Sequence, residues 1–125
     1  MTIAEALAGI DALKPNSFTA AQKIAWLSEL DGMVWQELIL THERPAGQTD
    51  WQPYSSTTAT TTELLVPAPY DQIYTYWLAS KIDLFNLEYD KFGNDQTMFN
   101  NAYLTYSDYY TRQNMPIQQV QQFSL

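Results

Sequence analysis

The apolar residues at the start of the chain recur at helical spacing and predict a first helix. The letters TIAE at residues 2–5 form a capping box, in which the Thr2 hydroxyl and the Glu5 carboxylate each accept a backbone amide of the other residue. Apolar side chains then recur every three or four positions until Pro15 interrupts them. We therefore expect a helix over residues 3–13.

A second capping box, Thr19 with Gln22, predicts the start of a second helix. Two adjoining apolar stripes continue from there to about Thr41, and their combined width indicates a helix that is buried on two sides. Gly32 lies within this helix and lowers its intrinsic helix propensity. We expect Gly32 to mark a bend or a close approach of a neighbouring element.

The middle of the chain has no helical period. Residues 43–63 are rich in Pro, Gly, Ser and Thr, which is typical of irregular structure. Five threonines between Thr57 and Thr62 favour extended backbone, because branched side chains restrict χ1 in a helix. We expect a Thr-rich central loop over residues 43–69, with a short β-hairpin as one form that it can take.

The segment that follows predicts a long helix. Pro67 and Pro69 force extended backbone, so the helix should begin near Tyr70. Two parallel apolar stripes continue as far as Phe92, and Gly93 is a natural C-terminal stop. The predicted helix is about 22 residues long.

A last helix is predicted after a short link. Asn94 or Asp95 can cap it, and its aromatic stripe continues to about Arg112. So short a link makes the two C-terminal helices an antiparallel hairpin. The sequence therefore predicts a mainly α, four-helix domain over residues 1–116, followed by a tail over residues 117–125.

Composition narrows the possible functions. The chain has 125 residues, a formal net charge of -8, and six lysines and arginines spread along its length. No basic patch is available to hold phosphates, which argues against a nucleic-acid-binding protein. An acidic surface would instead suit a passage through which DNA moves without adhering. The longest apolar runs fall short of the roughly 18 residues of a membrane span, and the acidic residues near the N-terminus argue against a signal peptide.

Catalytic chemistry has weak support in the sequence. With no cysteine and one histidine, we expect no transition-metal site, no cofactor and no thiol nucleophile. His42 lies at the predicted C-terminus of the second helix, where it is either a general base or, as we favour, a cap that complements the helix dipole. Pairs of carboxylates such as Asp83 with Glu88 and Asp90 with Asp95 are interpreted as solvated charges. We predict that the protein is not an enzyme.

Aromatic residues exceed what one small core needs. Aromatics make up 14% of the chain, and the neighbours Tyr76–Trp77 and Tyr109–Tyr110 cannot all point inward from a layer of two helices. Tyr and Trp are favoured at protein interfaces, although aromatic faces can also line a ligand groove. The residues predicted to contact a subunit or partner are Tyr70, Tyr74, Tyr76, Tyr109, Tyr110, Trp51 and Tyr54.

The tail after Pro116 carries an apolar residue at every third position, with pairs of glutamine between them. It is too short and too weakly apolar to fold alone. We interpret Ile117, Val120 and Phe123 as residues that dock on a partner, by strand addition or by insertion into pockets.

Residues 64–116 resemble the C-terminal half of the small head-tail connector (adaptor) proteins of tailed bacteriophages. The resemblance consists of an apolar run that ends in PAPYD, a Tyr-rich helix with Asn86 and Glu88 near its end, an Asn-containing link, and a last helix that closes on YYTR. It covers less than half of the chain and leaves the first 40 residues without a family motif.

The resemblance implies a structural virion protein that is assembled in the host cytoplasm and located in the phage neck. Such a subunit would form a homo-oligomeric ring, commonly of about twelve copies, that binds the portal and a tail or neck protein. The ring would extend the DNA channel without sequence-specific contacts to DNA. Two alternatives remain open on the residues alone: a small acidic protein–protein interaction module outside a virion, and a ligand-binding domain built on the aromatic helices.

Overall fold

Four helices build the fold, which a computed structural model describes over residues 1–117. They are α1 (Ile3–Leu13), α2 (Ala20–Val34), α3 (Gln72–Phe85) and α4 (Tyr89–Gln113), and α2 continues as a single π-helical stretch over Trp35–Ile39. The mainly α class predicted from the sequence is confirmed. None of the helices in this part of the chain is long and apolar enough to cross a membrane.

The central element is α3, which packs against each of the other three helices. Eight of its fourteen residues are buried, so it has hardly any face left for water. Tyr74 is the largest fully buried side chain among residues 1–117. Residues from α1, α2 and α3 share this core with it, among them Ile3, Ile10, Leu27, Leu30, Ile73 and Leu78.

Both predicted capping boxes form and fix the starts of the first two helices. The Thr2 hydroxyl accepts the Glu5 amide at 3.1 Å, and the Glu5 carboxylate accepts the Thr2 amide at 2.9 Å. Thr19 and Gln22 exchange the same two bonds at 3.1 and 2.8 Å. Each box satisfies amide groups that the first turn of a helix leaves without intrahelical partners.

The Thr-rich segment forms turns, and the short β-hairpin considered for it does not form. Within residues 1–117, β-type pairing is limited to isolated bridges, one of which joins Thr2 to Glu63. The carbonyls of Thr60 and Thr62 accept the amides of Ala4 and Ile3 at 2.9 and 3.0 Å. The segment therefore supplies carbonyl acceptors to the first turn of α1. Side-chain propensities do not predict these backbone hydrogen bonds.

The loop is fastened to the helices by the carboxylate of Asp31, which is fully buried in α2. It accepts the hydroxyls of Tyr54 and Tyr74, each at 2.6 Å, and the amide of Leu65 at 3.0 Å. The Tyr74 hydroxyl in turn accepts the amide of Val66 at 2.8 Å. One acidic side chain thus ties together α2, α3 and two separate points of the loop.

Gly32 allows the loop to lie close to α2. A Cβ at this position would meet the Trp51 ring at 3.3 Å, which is tighter than ordinary contact. The close approach predicted for Gly32 is therefore made by a loop side chain. Trp51 also packs edge-on against Tyr54, with ring centroids 5.5 Å apart.

The prediction of one long helix from about Tyr70 to Phe92 is wrong. The chain turns at residues 86–88, and α4 begins at Tyr89, so Gly93 lies inside α4 instead of ending the previous helix. The apolar pattern misled the prediction because it continues through the turn into solvent. Phe85, Leu87 and Tyr89 are 56%, 68% and 63% exposed.

A Schellman motif ends α3. The Glu88 amide donates to the Asp83 carbonyl at 2.9 Å, and the Leu87 amide donates to the Leu84 carbonyl at 3.1 Å. Leu87 adopts a φ of 60°, the left-handed position that glycine usually occupies in this motif. A leucine there gives no sign of a helix end in the sequence.

Replacing Leu87 with Gly is expected to stabilise the protein by about 1 kcal/mol, because it removes the clash of Cβ in left-handed backbone. The exposed leucine side chain contributes little packing that could be lost. Leu87→Ala is the matched control, since it shortens the side chain and keeps the Cβ. Urea unfolding of both variants checks this, and an equal gain from Leu87→Ala would contradict the explanation by backbone strain.

Tyr74→Phe should lower the free energy of unfolding by about 2 to 4 kcal/mol, because it leaves the Val66 amide and one Asp31 oxygen without a partner in the core. Tyr89→Phe removes the same hydroxyl from an exposed ring and should change stability by less than about 0.5 kcal/mol. Chemical denaturation measures both. Equal stabilities for the two variants would show that the Asp31 bonds do not hold the loop.

Candidate functional site

Part of the exposed apolar surface lies along α4, where Met98 and Leu104 are exposed. This helix buries Phe99, Tyr106 and Tyr110 against the rest of the fold. At about 100° per residue, the positions beside this buried stripe form two flanks on opposite sides of the helix. Each flank borders a groove.

The α3–α4 groove lies on the first flank. Ala102 forms part of its lining, and this small side chain leaves space beside the larger residues around it. The groove is lined by Pro69, Tyr70, Gln72, Tyr76, Met98, Asn101, Ala102 and Thr105.

The α2–α4 groove lies on the second flank. Leu104 is 61% exposed there, beside the partly buried Tyr103. The Tyr103 hydroxyl lies next to the Glu37 carboxylate, and its pKa is raised, first by burial and then by that negative charge. The groove is lined by Met33, Glu37, Phe99, Asn100, Tyr103 and Leu104.

Three of the tyrosines predicted to contact a partner belong to the core. Tyr74 is fully buried, and Tyr54 and Tyr110 are 9% and 8% exposed. The hydroxyls of Tyr54 and Tyr74 donate to the Asp31 carboxylate, an internal role that aromatic composition does not indicate. Their burial corrects the prediction that these three residues lie at the surface.

The other four aromatic candidates are partly exposed. Tyr70 and Tyr76 line the α3–α4 groove, and Tyr109 stacks on Tyr70 with ring centroids 4.7 Å apart. Trp51 lies apart from them, in the central loop against α2. The fold thus brings together three of the seven predicted residues on one flank of α4.

The predicted docking tail lies largely outside the described residues. Val120 and Phe123 fall beyond residue 117. Ile117 is 51% exposed, and its amide donates to the Thr41 carbonyl at 2.9 Å. Ile117 therefore lies beside the end of the π-helical stretch and the C-terminus of α4.

His42 caps the end of the second helical segment. Its Nδ1 lies 2.6 Å from the Leu38 carbonyl, to which it donates, and its Nε2 lies 3.1 Å from the Thr111 hydroxyl. The ring is 9% exposed and packs edge-on against Tyr110. Both nitrogens are engaged within the fold, as expected for the capping interpretation of this residue.

Most cations are paired internally. Five of the six lysines and arginines form ion pairs, which are Lys14–Asp83, Lys23–Asp11, Arg44–Asp50, Lys81–Glu29 and Lys91–Glu88. Among residues 1–117, Arg112 is exposed and forms no ion pair. The acidic residues outnumber the cations, so the surface keeps a strong negative charge.

A carboxyl pair joins α3 to α4 near the turn. Asp83 binds the Lys14 ammonium at 2.8 Å and faces Asp95. Burial, the hydrogen bond to Asp83 and the negative charge of Asp83 together raise the pKa of Asp95 to about 7. Burial of Asp83 is outweighed by the hydrogen bond from Asp95 and by Lys14, so the pKa of Asp83 is lowered. The two carboxyls thus share one proton near neutral pH.

This pair differs from the carboxylate pairs considered from the sequence. Asp83 and Asp95 stand on either side of the turn, so only the true register of the hairpin brings them together. Glu88, which the sequence offered as a neighbour of Asp83, forms an ion pair with Lys91 at 2.7 Å. A correct position for the turn would have been the signal needed to find the Asp83–Asp95 contact.

Stability should fall as pH rises from 5 to 8, because folded Asp95 holds a proton that the unfolded chain has already released. We expect a loss of about 1 to 2 kcal/mol, below the full linkage value because Asp95 is partly exposed. Asp95→Asn cannot ionise, so its curve should be flatter. Burial also raises the pKa of Asp31, so both proteins lose some stability with rising pH for this second reason. The difference between the wild type and Asp95→Asn, measured by urea unfolding at each pH, therefore reports on Asp95. Parallel curves would contradict the shared proton.

Comparison with models of protein families, with curated proteins and with solved structures finds no match for this chain. The residues themselves therefore carry the functional argument.

Proposed function

We propose that this protein is a structural subunit of the neck of a tailed bacteriophage. Copies of the chain form a ring, of about twelve subunits by analogy with connector proteins, between the portal and a tail or neck protein. DNA passes through the ring without sequence-specific contacts. The proposal rests on the resemblance of residues 64–116 to these connectors and on the two grooves beside α4.

The observation that carries the proposal is the presence of two unlike apolar grooves on opposite flanks of one helix. A closed ring is built from heterologous contacts, in which one surface of each subunit meets a different surface of the next. The α3–α4 groove and the α2–α4 groove are two such surfaces. Leu104 and Met98, which are 61% and 47% exposed, are apolar side chains that such contacts would cover.

The charge of the chain is compatible with a DNA channel. Five cations are already neutralised within the subunit, and the net charge is -8. DNA is therefore offered few positive groups to which it could bind. Repulsion between acidic walls and phosphates would keep DNA mobile in the channel.

The alternative of a ligand site on the aromatic helices is less well supported. Aromatic side chains hold a flat ligand when at least one ring face is free to stack. Here Tyr70 stacks on Tyr109 at 4.7 Å, and Trp77 packs on Phe99 at 5.0 Å. The rings mostly contact one another, which favours roles in the core and at a protein interface.

Leu104→Ser should weaken self-assembly while leaving the subunit folded, because it removes an exposed apolar side chain from the α2–α4 groove. Leu13→Ser is the matched control, since Leu13 is 66% exposed and lies at the end of α1, away from both grooves. Light scattering after size exclusion and negative-stain electron microscopy measure assembly. Circular dichroism verifies that both variants are folded.

The expected result is an annular particle for the wild type and for Leu13→Ser, with a smaller oligomer or a monomer for Leu104→Ser. A wild-type chain that stays monomeric at high concentration, both alone and with the portal protein of the same phage, would refute the proposed role. Ordered assemblies without a central opening would also count against a DNA channel.

A further inference from the structure

We infer that one copy of this chain seats its α2–α4 groove on the α3–α4 groove of the next copy, with Arg112 facing Glu43 across the contact. The inference deepens the proposed function and rests on it for the choice of a second copy as the partner. It adds which surfaces meet, in which register, and which charges select the orientation.

The two flanks of α4 differ in charge. Arg112 follows Thr105 by seven residues and Tyr109 by three, which places it on the flank of the α3–α4 groove. The opposite flank borders Glu37, and Glu43 follows His42, whose Nε2 lies 3.1 Å from the Thr111 hydroxyl on that flank. Both glutamates are exposed, and neither forms an ion pair within residues 1–117. Each copy therefore carries an unpaired cation on one side and unpaired anions on the other.

These charges also lie at matching heights along α4. The Glu43 amide donates to the Met115 carbonyl at 2.8 Å, so Glu43 is level with the C-terminal end of the helix, where Arg112 is located. Copies related by an axis parallel to α4 would lie at the same height. Such copies bring Arg112 of one subunit opposite Glu43 of the next.

The apolar residues give the same register. Leu104 projects from the α2–α4 side and Ala102 opens the α3–α4 side, only two positions apart along α4. A side-by-side arrangement of copies therefore places the leucine over the space at the alanine. The amides of Gln72 and Asn101 in the same groove provide hydrogen-bond donors for Glu37. Apolar shape, hydrogen bonding and charge thus agree on one head-to-tail contact.

Charge-reversed variants test this contact. Arg112→Glu and Glu43→Arg, each alone, place like charges across every interface and should weaken association about tenfold or more. A one-to-one mixture of the two should recover it, because alternating copies meet only opposite charges. The mixture also has the mean net charge of the wild type, so recovery cannot be ascribed to a general change in charge. Asp90→Arg, a reversal at an exposed acid early in α4, is the control and should leave assembly intact.

Native mass spectrometry reads the result directly. The inference expects weakened oligomers for each single variant and alternating oligomers with equal numbers of the two chains in the mixture. It is overturned if each variant assembles like the wild type, if the mixture fails to recover, or if the wild type is monomeric. A monomeric wild type whose Tyr103 fluorescence changes on addition of a Lys- and Leu-rich peptide would assign the α2–α4 groove to another partner. That result would also overturn the inference.

The test separates this contact from the proposed function. Rings that survive both charge reversals would leave a role in the phage neck standing while refuting the Arg112–Glu43 register. Recovery by mixing in small or open oligomers, with no annular particle and no binding to a portal, would support the register and refute the neck role.

Discussion

The hydrogen bonds to the buried carboxylate of Asp31 are the interaction on which the rest of the structure depends. Residues 43–71 contain no helix, and a segment of that length needs anchors to remain folded against the domain. Asp31 provides them through Tyr54 and Leu65 on the loop and through Tyr74 on α3. Because burial alone would penalise the charge, removal of any of these donors weakens both the loop and the solvation of the carboxylate.

Anchoring of the loop also determines which surfaces remain open. Trp51 lies against Gly32 of α2, and the carbonyls of Thr60 and Thr62 bind the first turn of α1. These anchors draw the loop towards the first two helices, and near its end Tyr70 stacks on Tyr109 of α4. This leaves the flanks of α4 as the place where partly exposed apolar residues can gather. The position of the candidate interface is therefore a consequence of where the loop is fastened.

The sequence predicts the start of the fold better than its end. Thr2 and Thr19 act locally, through capping boxes whose geometry needs only three residues, so both helix starts are correct. The position of the α3–α4 turn was not predicted, because Leu87 adopts left-handed backbone and a leucine does not indicate that conformation in a sequence. The role of Asp31 could not be predicted either, because an acidic residue within an apolar stripe meets its hydrogen-bond donors only in the folded structure. The division of the tyrosines between core and surface follows from these long-range contacts and could not be predicted.

Charge limits how such a subunit can associate. A net charge of -8 makes copies repel one another, and the cations that could offset this are mostly bound to acids of their own chain. Few cross-subunit ion pairs are therefore available, and those at the rim of a contact contribute little affinity. In the proposed ring, the free energy of association would have to come mainly from the apolar residues in the two grooves. Arg112, which forms no ion pair within residues 1–117, is suited to selecting the orientation of the contact. Two like charges placed opposite each other disfavour the wrong orientation more than one ion pair stabilises the right one.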